Sequence, residues 1–315
     1  MYYLKFLWIF YRFHVILQHM LELKKLLDRI DITILNAELY SVGTLWNYRN
    51  VNNPYSRIYL ITDGYAQIKM HNKRYDLVPG FLYLIPCFTT VNMYCPEWFQ
   101  QYYIHFTSRL QSGLDILSIL ECNCQADAKK SGIDRSMFDR LLELNPGREL
   151  FEYDANKPIY KRVSERASEL DKSKTISNIL ESNALMRLLL SAFFEGCDQS
   201  QISHTINGLT RFRDVIEYIR KNFSSPITLQ ELADIADLNS TYFSNLFSKF
   251  MGIAPIQYIN RRRIEEAQLL LLSSNESLKS IAMQVGFNDV FYFSRLFKKI
   301  TNISPSAYRK QHILS

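Results

Sequence analysis

Two kinds of side chain that most protein chemistry depends on are sparse in this 315-residue chain, which holds six histidines and five cysteines. No two of the histidines (His14, His19, His71, His105, His204 and His312) stand one residue apart, so the paired-imidazole ligand set of a metal-holding barrel is missing. His105 is expected to be a strand residue rather than a metal ligand. No Gly-x-Ser-x-Gly run or comparable nucleophile constellation occurs either, so the chain reads as a non-enzyme with no catalytic residue and no cofactor. The cysteines (Cys87, Cys95, Cys122, Cys124, Cys197) are odd in number and irregularly spaced, which argues against a disulfide framework and for a reducing, cytoplasmic setting. Cys122 and Cys124 lack a second Cys/His pair at zinc-site spacing.

Long apolar runs are absent too. Met1 to Met20 is rich in Leu, Phe, Tyr and Trp, but Lys5, Arg12, His14 and His19 interrupt it, and a span needs about 18 unbroken apolar residues. No small-residue cleavage site follows it. The amphipathic stretch from Leu21 makes Met20 an alternative start. Residues 1–32 are expected to be an extension outside the fold.

What is present fits a two-domain globular protein: 47% hydrophobic and 22% charged residues, long enough for two cores. The +6 charge is unevenly placed. Residues 206–315 hold 14 Lys+Arg against 9 Asp+Glu, and the first 205 hold 23 against 22. A basic C-terminal domain beside a neutral one suggests a polyanionic partner for the former.

From Ala37 to about Thr107 the pattern is one of short strands. Arg57–Ile61 leads to Asp63-Gly64 and Tyr65–Met70 leaves it, which predicts a hairpin with both turn residues at positive φ. Pro79-Gly80 precedes the apolar strand Phe81–Ile85. Such spacing suggests a small barrel or jelly roll. From Gln111 to about Ser203 the period becomes helical, clearest over 157–170 and 176–194, where Ile176, Ile179, Leu180, Met186, Leu190 and Phe193 fall on one face. The polar stretch Gln199–His204 marks a boundary before a wholly helical C-terminal region.

That region contains two helix-turn-helix units. Thr228 and Glu231 form a capping box opening a helix over 229–236; a turn at Asp237-Leu238 follows, then a helix to about Phe250 capped by Asn239 or Ser240. Fifty residues on, Ser277 caps 278–285, Gly286 makes the turn, and Asp289 caps a helix through Lys299. Tyr242-Phe243-Ser244, Phe247, Pro255 and Tyr258 recur at Tyr292-Phe293-Ser294, Phe297, Pro305 and Tyr308. Ala233 recurs at Ala282, an offset of forty-nine, so the second copy carries one more residue in its turn. A helix from about Ile256 to Leu272, bearing Arg261, Arg262 and Arg263, joins the copies.

The second copy, with Ile281-Ala282, Val285-Gly286-Phe287-Asn288-Asp289, Tyr292-Phe293-Ser294-Arg295, Phe297-Lys298-Lys299 and Ser304–Arg309, resembles the AraC/XylS family of bacterial transcription regulators. The likeness covers the C-terminal hundred residues. It implies base contacts from Thr241, Ser244 and Asn245 in one recognition helix and from Val290, Phe291, Ser294 and Arg295 in the other, with Arg295 reading guanine and Val290 or Phe291 touching a thymine methyl. Lys249, Arg261, Arg262, Lys298 and Lys299 are expected at phosphates, where they set affinity rather than sequence. Tyr75–Pro86 and Tyr103–Phe106 resemble the cupin-like sensor domain of many family members. Phe81 departs from the acidic residue usual after the turn glycine, and Val91 stands where metal-binding cupins often have histidine.

The expected architecture is therefore α+β: a cupin-like β-barrel at 33–110, a helical linker and dimerisation region at 111–205, and an all-α DNA-binding domain at 206–315. Trp46, Tyr48, Tyr59, Tyr83, Tyr94, Trp98 and Tyr102 are candidates to line a small-molecule effector pocket, a sugar being one choice, or to fill an ordinary core. Two functions stay open. In one, a dimeric regulator of double-stranded DNA responds to an effector in the barrel. In the other, DNA binding is constitutive and the metal-free barrel is a protein-interaction module.

Overall fold

A run of short strands with inward-facing apolar residues at every second position buries one face of each strand, and two such faces close on each other in the computed structural model of the chain. The structure describes residues 24–25, 27–110, 115–150 and 160–311. Among these residues nine strands make two sheets: β1 (Asp31–Gly43), β2 (Asn47–Val51), β3 (Ser56–Gly64), β4 (Ala66–Met70), β5 (Lys73–Leu77), β6 (Phe81–Ile85), β7 (Val91–Tyr94), β8 (Trp98–Arg109) and β9 (Gln125–Asp127). Their orders are β1-β8-β3-β6-β9 and β2-β7-β4-β5. The pairs β3–β6, β3–β8, β6–β9, β2–β7, β4–β7 and β4–β5 are all antiparallel. Tyr59, Ile61, Tyr83, Ile85, Phe99 and Tyr103 of the first sheet meet Ile68, Met70, Leu77, Val91 and Met93 of the second, with Trp46 from the turn before β2, in one buried cluster.

Two turn assignments change. Asp63-Gly64 is not a hairpin, because β3 and β4 belong to different sheets; the chain uses it as a corner. Only Gly64 has positive φ there, and a Cβ on it would lie 2.5 Å from the Trp98 carbonyl oxygen. The two-residue hairpin is β4–β5, where Met70 pairs with Lys73 and both His71 and Asn72 are left-handed (φ 50° and 60°). The N-terminal extension is also shorter than expected. β1 begins at Asp31, and Ile30 and Ile32 are buried, so residues 30–32 belong to the fold. The proposed alternative start and the histidines at 14, 19 and 312 lie outside the described residues.

Helices follow the sheets: α1 (Arg135–Leu144), α2 (Tyr160–Lys172), α3 (Ile176–Ser191, continued by a 3₁₀ turn to Phe194), α4 (Gln199–Arg211), α5 (Arg213–Asn222), α6 (Leu229–Ile235), α7 (Ser240–Met251), α8 (Pro255–Ser273), α9 (Leu278–Gln284), α10 (Val290–Thr301) and α11 (Pro305–Gln311). On α3 the predicted stripe divides. Its buried face is Ser182, Met186, Leu189 and Leu190, running on to Phe193, while Ile176 and Leu180 are 78% and 66% exposed. The reason is polar anchoring: Glu181 takes a two-point ion pair from Arg140 of α1 (2.6 and 2.8 Å), and Ser182 accepts a hydrogen bond from Asn145 (3.0 Å), which turns the first two turns' aliphatic groups outward.

Compact units do not follow contiguous blocks. The described residues up to Asp31, with those of Arg109–Glu121 and Cys197–Arg262, form one unit, and those of Ile32–Ser108, Cys122–Gly196 and Arg263–Ser315 another. The polar stretch expected as a boundary is the first turns of α4, not a linker. Gly208 of α4 lies against Phe250 of α7 so closely that a Cβ would meet the Phe250 Cβ at 2.6 Å. The excursion from β8 brings Ile119 against the same core. Strand β9, beyond residue 110, completes the first sheet.

Candidate nucleic-acid interface

Each helix-turn-helix is built the same way. In the first, the Thr228 hydroxyl accepts the Glu231 backbone N–H, and the Glu231 carboxylate accepts the Thr228 N–H at 2.7 Å, completing the capping box of α6. The Thr228 N–H and hydroxyl, both donating to the Glu231 carboxylate, hold that carboxyl below its ordinary range. Asn239 alone, not Ser240, caps α7 by accepting from the Tyr242 N–H at 2.9 Å. In the second, Ser277 caps α9, and Asp289 caps α10 through the Phe291 N–H at 2.7 Å.

The turns match residue for residue until the extra position. Leu238 N–H returns to the Ala233 carbonyl at 2.9 Å, and Phe287 N–H to the Ala282 carbonyl at 2.8 Å. Asp237 (φ 52°) and Gly286 (φ 89°) hold the same left-handed place. The added residue of the second copy is thus Asn288, between the returning Phe287 and the Asp289 cap. Small Ala233 and Ala282 are buried where the helices of each pair cross. The aromatic core repeats too: Phe247 meets Tyr258 edge-on at 5.6 Å and 78°, and Phe297 meets Tyr308 at 5.4 Å and 77°. Ile235 is not part of this lock; it is 36% exposed.

With Phe243, Phe247, Phe293 and Phe297 buried, the opposite faces of α7 and α10 are presented outward. Thr241, Asn245, Phe291 and Arg295 are exposed, and Ser244, Ser294 and Val290 half-buried. Phe291 is 77% exposed, an unusual position for a large apolar ring and one suited to a thymine methyl. Lys249, Lys298 and Lys299 are exposed in the last turns of the recognition helices, while Arg261 and Arg262 on α8 are half-buried. Arg263 lies over the Phe287 ring at 5.4 Å, which leaves it a structural role in the second motif.

The aromatic set proposed for the effector pocket is scattered. Trp46, Tyr59 and Tyr83 are buried between the sheets, and Tyr48 packs on that cluster. Tyr94 and Trp98 are each 47% exposed, because they fall at alternate, outward positions of β7 and β8. Tyr102 is on the other face of the first sheet. Its ring packs on Phe138 of α1, its hydroxyl reaches Asp139, and the Arg135 guanidinium donates to that hydroxyl at 2.7 Å.

A polar chain that no sequence signal announced joins the sheets to the second helix-turn-helix. Buried Gln268 of α8 donates to Asn52 Oδ1 at 2.8 Å; Asn52 Nδ2 donates to the Phe88 carbonyl at 2.9 Å and to Thr90 Oγ1 at 3.0 Å; the Thr90 hydroxyl donates to the Thr301 carbonyl at 3.3 Å, at the end of α10. All of these residues belong to one compact unit. Among the described residues no group of three or more His, Cys, Asp or Glu is arranged to hold a metal ion, and no helix is long and apolar enough to cross a membrane.

Comparison with known proteins matches residues 232–311 to a helix-turn-helix domain model, which takes in most of the first motif and all of the second. The chain is 31% identical over 153 residues to the regulatory protein PocR of Salmonella typhimurium, covering 45% of this chain and 50% of PocR. It is 32% identical over 149 residues to the raffinose operon transcriptional regulatory protein RafR of Pediococcus pentosaceus, covering 45% and 53%. The chain thus spans about half the length of these curated relatives. Among solved structures it is similar to the C-terminal domain of the two-component response regulator yesN from Fusobacterium nucleatum, with 39% identity, 31% of this chain, 95% of that one and a TM-score of 0.30. The curated relatives are named as regulatory proteins, and the chain is similar to them over its C-terminal part, which carries an AraC-type helix-turn-helix domain matched at residues 232–311.

Proposed function

We propose that the whole chain is a cytoplasmic, dimeric transcription regulator that binds promoter DNA through α7 and α10 and adjusts that binding to an effector held between its two sheets. The observation that carries the DNA reading is the outward pair of faces. Thr241 and Asn245, and Phe291 and Arg295, stand exposed on two helices whose inner faces are locked by the same aromatic repeat. Lys249, Lys298 and Lys299 flank these faces as phosphate contacts, with Arg261 and Arg262 on the joining helix.

The effector arm is supported by the Gln268–Asn52–Thr90–Thr301 chain, since a ligand that moves the loops holding Asn52 and Thr90 also moves the groups that fix the second motif. The dimer is supported by Ile176, Ile179 and Leu180, an exposed aliphatic group on α3. Footprinting on the protein's own promoter regions tests the reading. A protected site should contain a guanine whose replacement weakens the wild type but not Arg295→Ala. Equal protection of random duplex at matched salt would overturn it.

A further inference from the structure

Arg57 is a buried cation on the inner face of the first sheet. It lies on β3 directly opposite His105 of β8, so both side chains point to the inner face that also carries Tyr59, Tyr103, Ile61 and Gln101. Arg57 is 3% exposed and His105 7%. The guanidinium lies over the Tyr55 ring at 5.4 Å and 4.0 Å from the Met93 sulfur, and the phenol groups of Tyr59 and Tyr55 also interact with it. Among the described residues no carboxylate pairs with it, and its Nε has no hydrogen-bond partner.

The Tyr55 and Tyr59 phenols favour the charged form of Arg57, but among the described residues no carboxylate neutralises it. The His105 ring sits between Tyr55 and Tyr103 at 5.0 Å from each, and its Nδ1 has no partner. Burial, and the Arg57 charge beside it, push the imidazole well below its ordinary range, so it is a neutral donor and acceptor. Gln101 Oε1, on the same face, is unpartnered as well. An uncompensated buried cation is among the costlier features a fold can hold, and buried charges are ordinarily paired. Ile85, the partner of Arg57 on β6, and Met93, which its guanidinium touches, belong to the inner cluster that continues along the same face through Tyr59 and Tyr83.

We propose that Arg57, with His105 and the Tyr55 and Tyr59 phenols, is the anion-holding end of the effector site, and that the effector is a monocarboxylate with an apolar body. Arg is the residue suited to this task, because its planar fork takes a carboxylate at two points. The apolar body would lie among the aromatic rings of the inner cluster. A neutral sugar would leave the guanidinium uncompensated. The site also has a direct route outward, since Asn52 stands five residues before Arg57, in the loop that leads into β3. There Asn53 donates to the Tyr55 hydroxyl at 2.5 Å, and the Phe88 N–H donates to the Asn53 carbonyl at 2.7 Å. Seating a carboxylate against Arg57 and Tyr55 therefore acts on the loop that holds Gln268.

The inference rests on the effector reading above, and its test separates the two. Octanoate and phenylacetate, with octanamide, phenylacetamide and sodium chloride as controls, are titrated into the intact protein by calorimetry and by thermal melting. The carboxylates should bind and raise the melting temperature, and the amides and chloride should not. Arg57→Met should weaken carboxylate binding by about thirtyfold or more, while melting without ligand at or above the wild-type temperature, because a buried unpaired charge has been removed. Arg57→Lys keeps a cation and should retain part of the binding. Equal binding of amides and acids, or no binding of either acid at 10 millimolar order (roughly the affinity floor for a weak small ligand), overturns the carboxylate site. So does Arg57→Met melting well below wild type with carboxylate binding unchanged. Promoter binding measured on the same preparations reports separately on the regulator reading: its loss in the wild type overturns that reading, and its persistence confines any failure to the anion site.

Discussion

Asp237 and Gly286 occupy one left-handed position in two copies of the same turn, and only one of them is a glycine. A side chain at this φ costs about 1–2 kcal/mol, less for Asp than for most residues because its carboxylate bonds locally. Gly286→Ala should therefore lower the stability of the second motif by about 1–2 kcal/mol, read as a lower urea midpoint. Asp237→Gly should not lower that of the first. At the DNA face, Arg295→Ala should cost about 1–3 kcal/mol at one base pair and relax preference there, whereas Lys298→Ala should weaken all sequences alike and reduce the salt slope by about one. Competition gel shifts over a set of single-base variants distinguish the two patterns. If Lys298→Ala changed preference instead, the roles assigned to the two side chains would be reversed.

Among the elements, α6 shows how a local signal carries both stability and pH dependence. Thr228→Ala removes the cap and should cost about 1 kcal/mol. The Glu231 carboxyl is held below its ordinary range by the Thr228 N–H and hydroxyl. The capping contribution is thus complete above the ordinary carboxylate range and lost as pH falls through the lowered value. Glu231→Gln should flatten that part of the acid-side loss in thermal melts, and an unchanged profile would contradict the box. This element was legible in the sequence, because a capping box acts within four residues. The fifty-residue repeat was legible for the same reason: each copy is a local packing unit of Phe, Ala and Tyr at fixed offsets.

What the sequence hid was non-local. Asp63-Gly64 has hairpin chemistry, but the pairing of β3 with β6 and β8 decides that it is a corner. The α3 stripe looked continuous until Arg140 and Asn145, 41 and 37 residues upstream of their partners Glu181 and Ser182, fixed which face turns inward. The inward or outward fate of Tyr94, Trp98 and Tyr102 depended on strand register, where one residue of shift exchanges the faces. Arg57 could not be singled out, because nothing in a strand-like run reveals that its partner position holds a neutral histidine rather than a carboxylate.

At the level of the whole molecule, the polar chain from Gln268 to Thr301 and the aliphatic patch on α3 make separate claims. Leu180→Asp should shift the sedimentation coefficient towards that of a monomer without lowering thermal stability, because Leu180 is 66% exposed. An unchanged coefficient would remove α3 from the dimer. Asn52→Ala and Gln268→Ala should interact in a double-mutant cycle by about 0.5 kcal/mol or more, read on the DNA affinity measured with and without effector. Additive effects would disconnect the sheets from the second motif.

The central claim is that the two outward helix faces bind DNA, and the dependence of affinity on salt tests it most directly. Fluorescence anisotropy with a labelled promoter duplex, over a range of potassium chloride concentrations, gives the slope of log affinity against log salt. With Lys249, Arg261, Arg262, Lys298 and Lys299 at phosphates, each contributing about −0.9, the slope should be roughly −4 to −5 per chain. It should fall by about one unit for each of these residues replaced by alanine. A slope near zero, or one indifferent to all five replacements, would contradict the account.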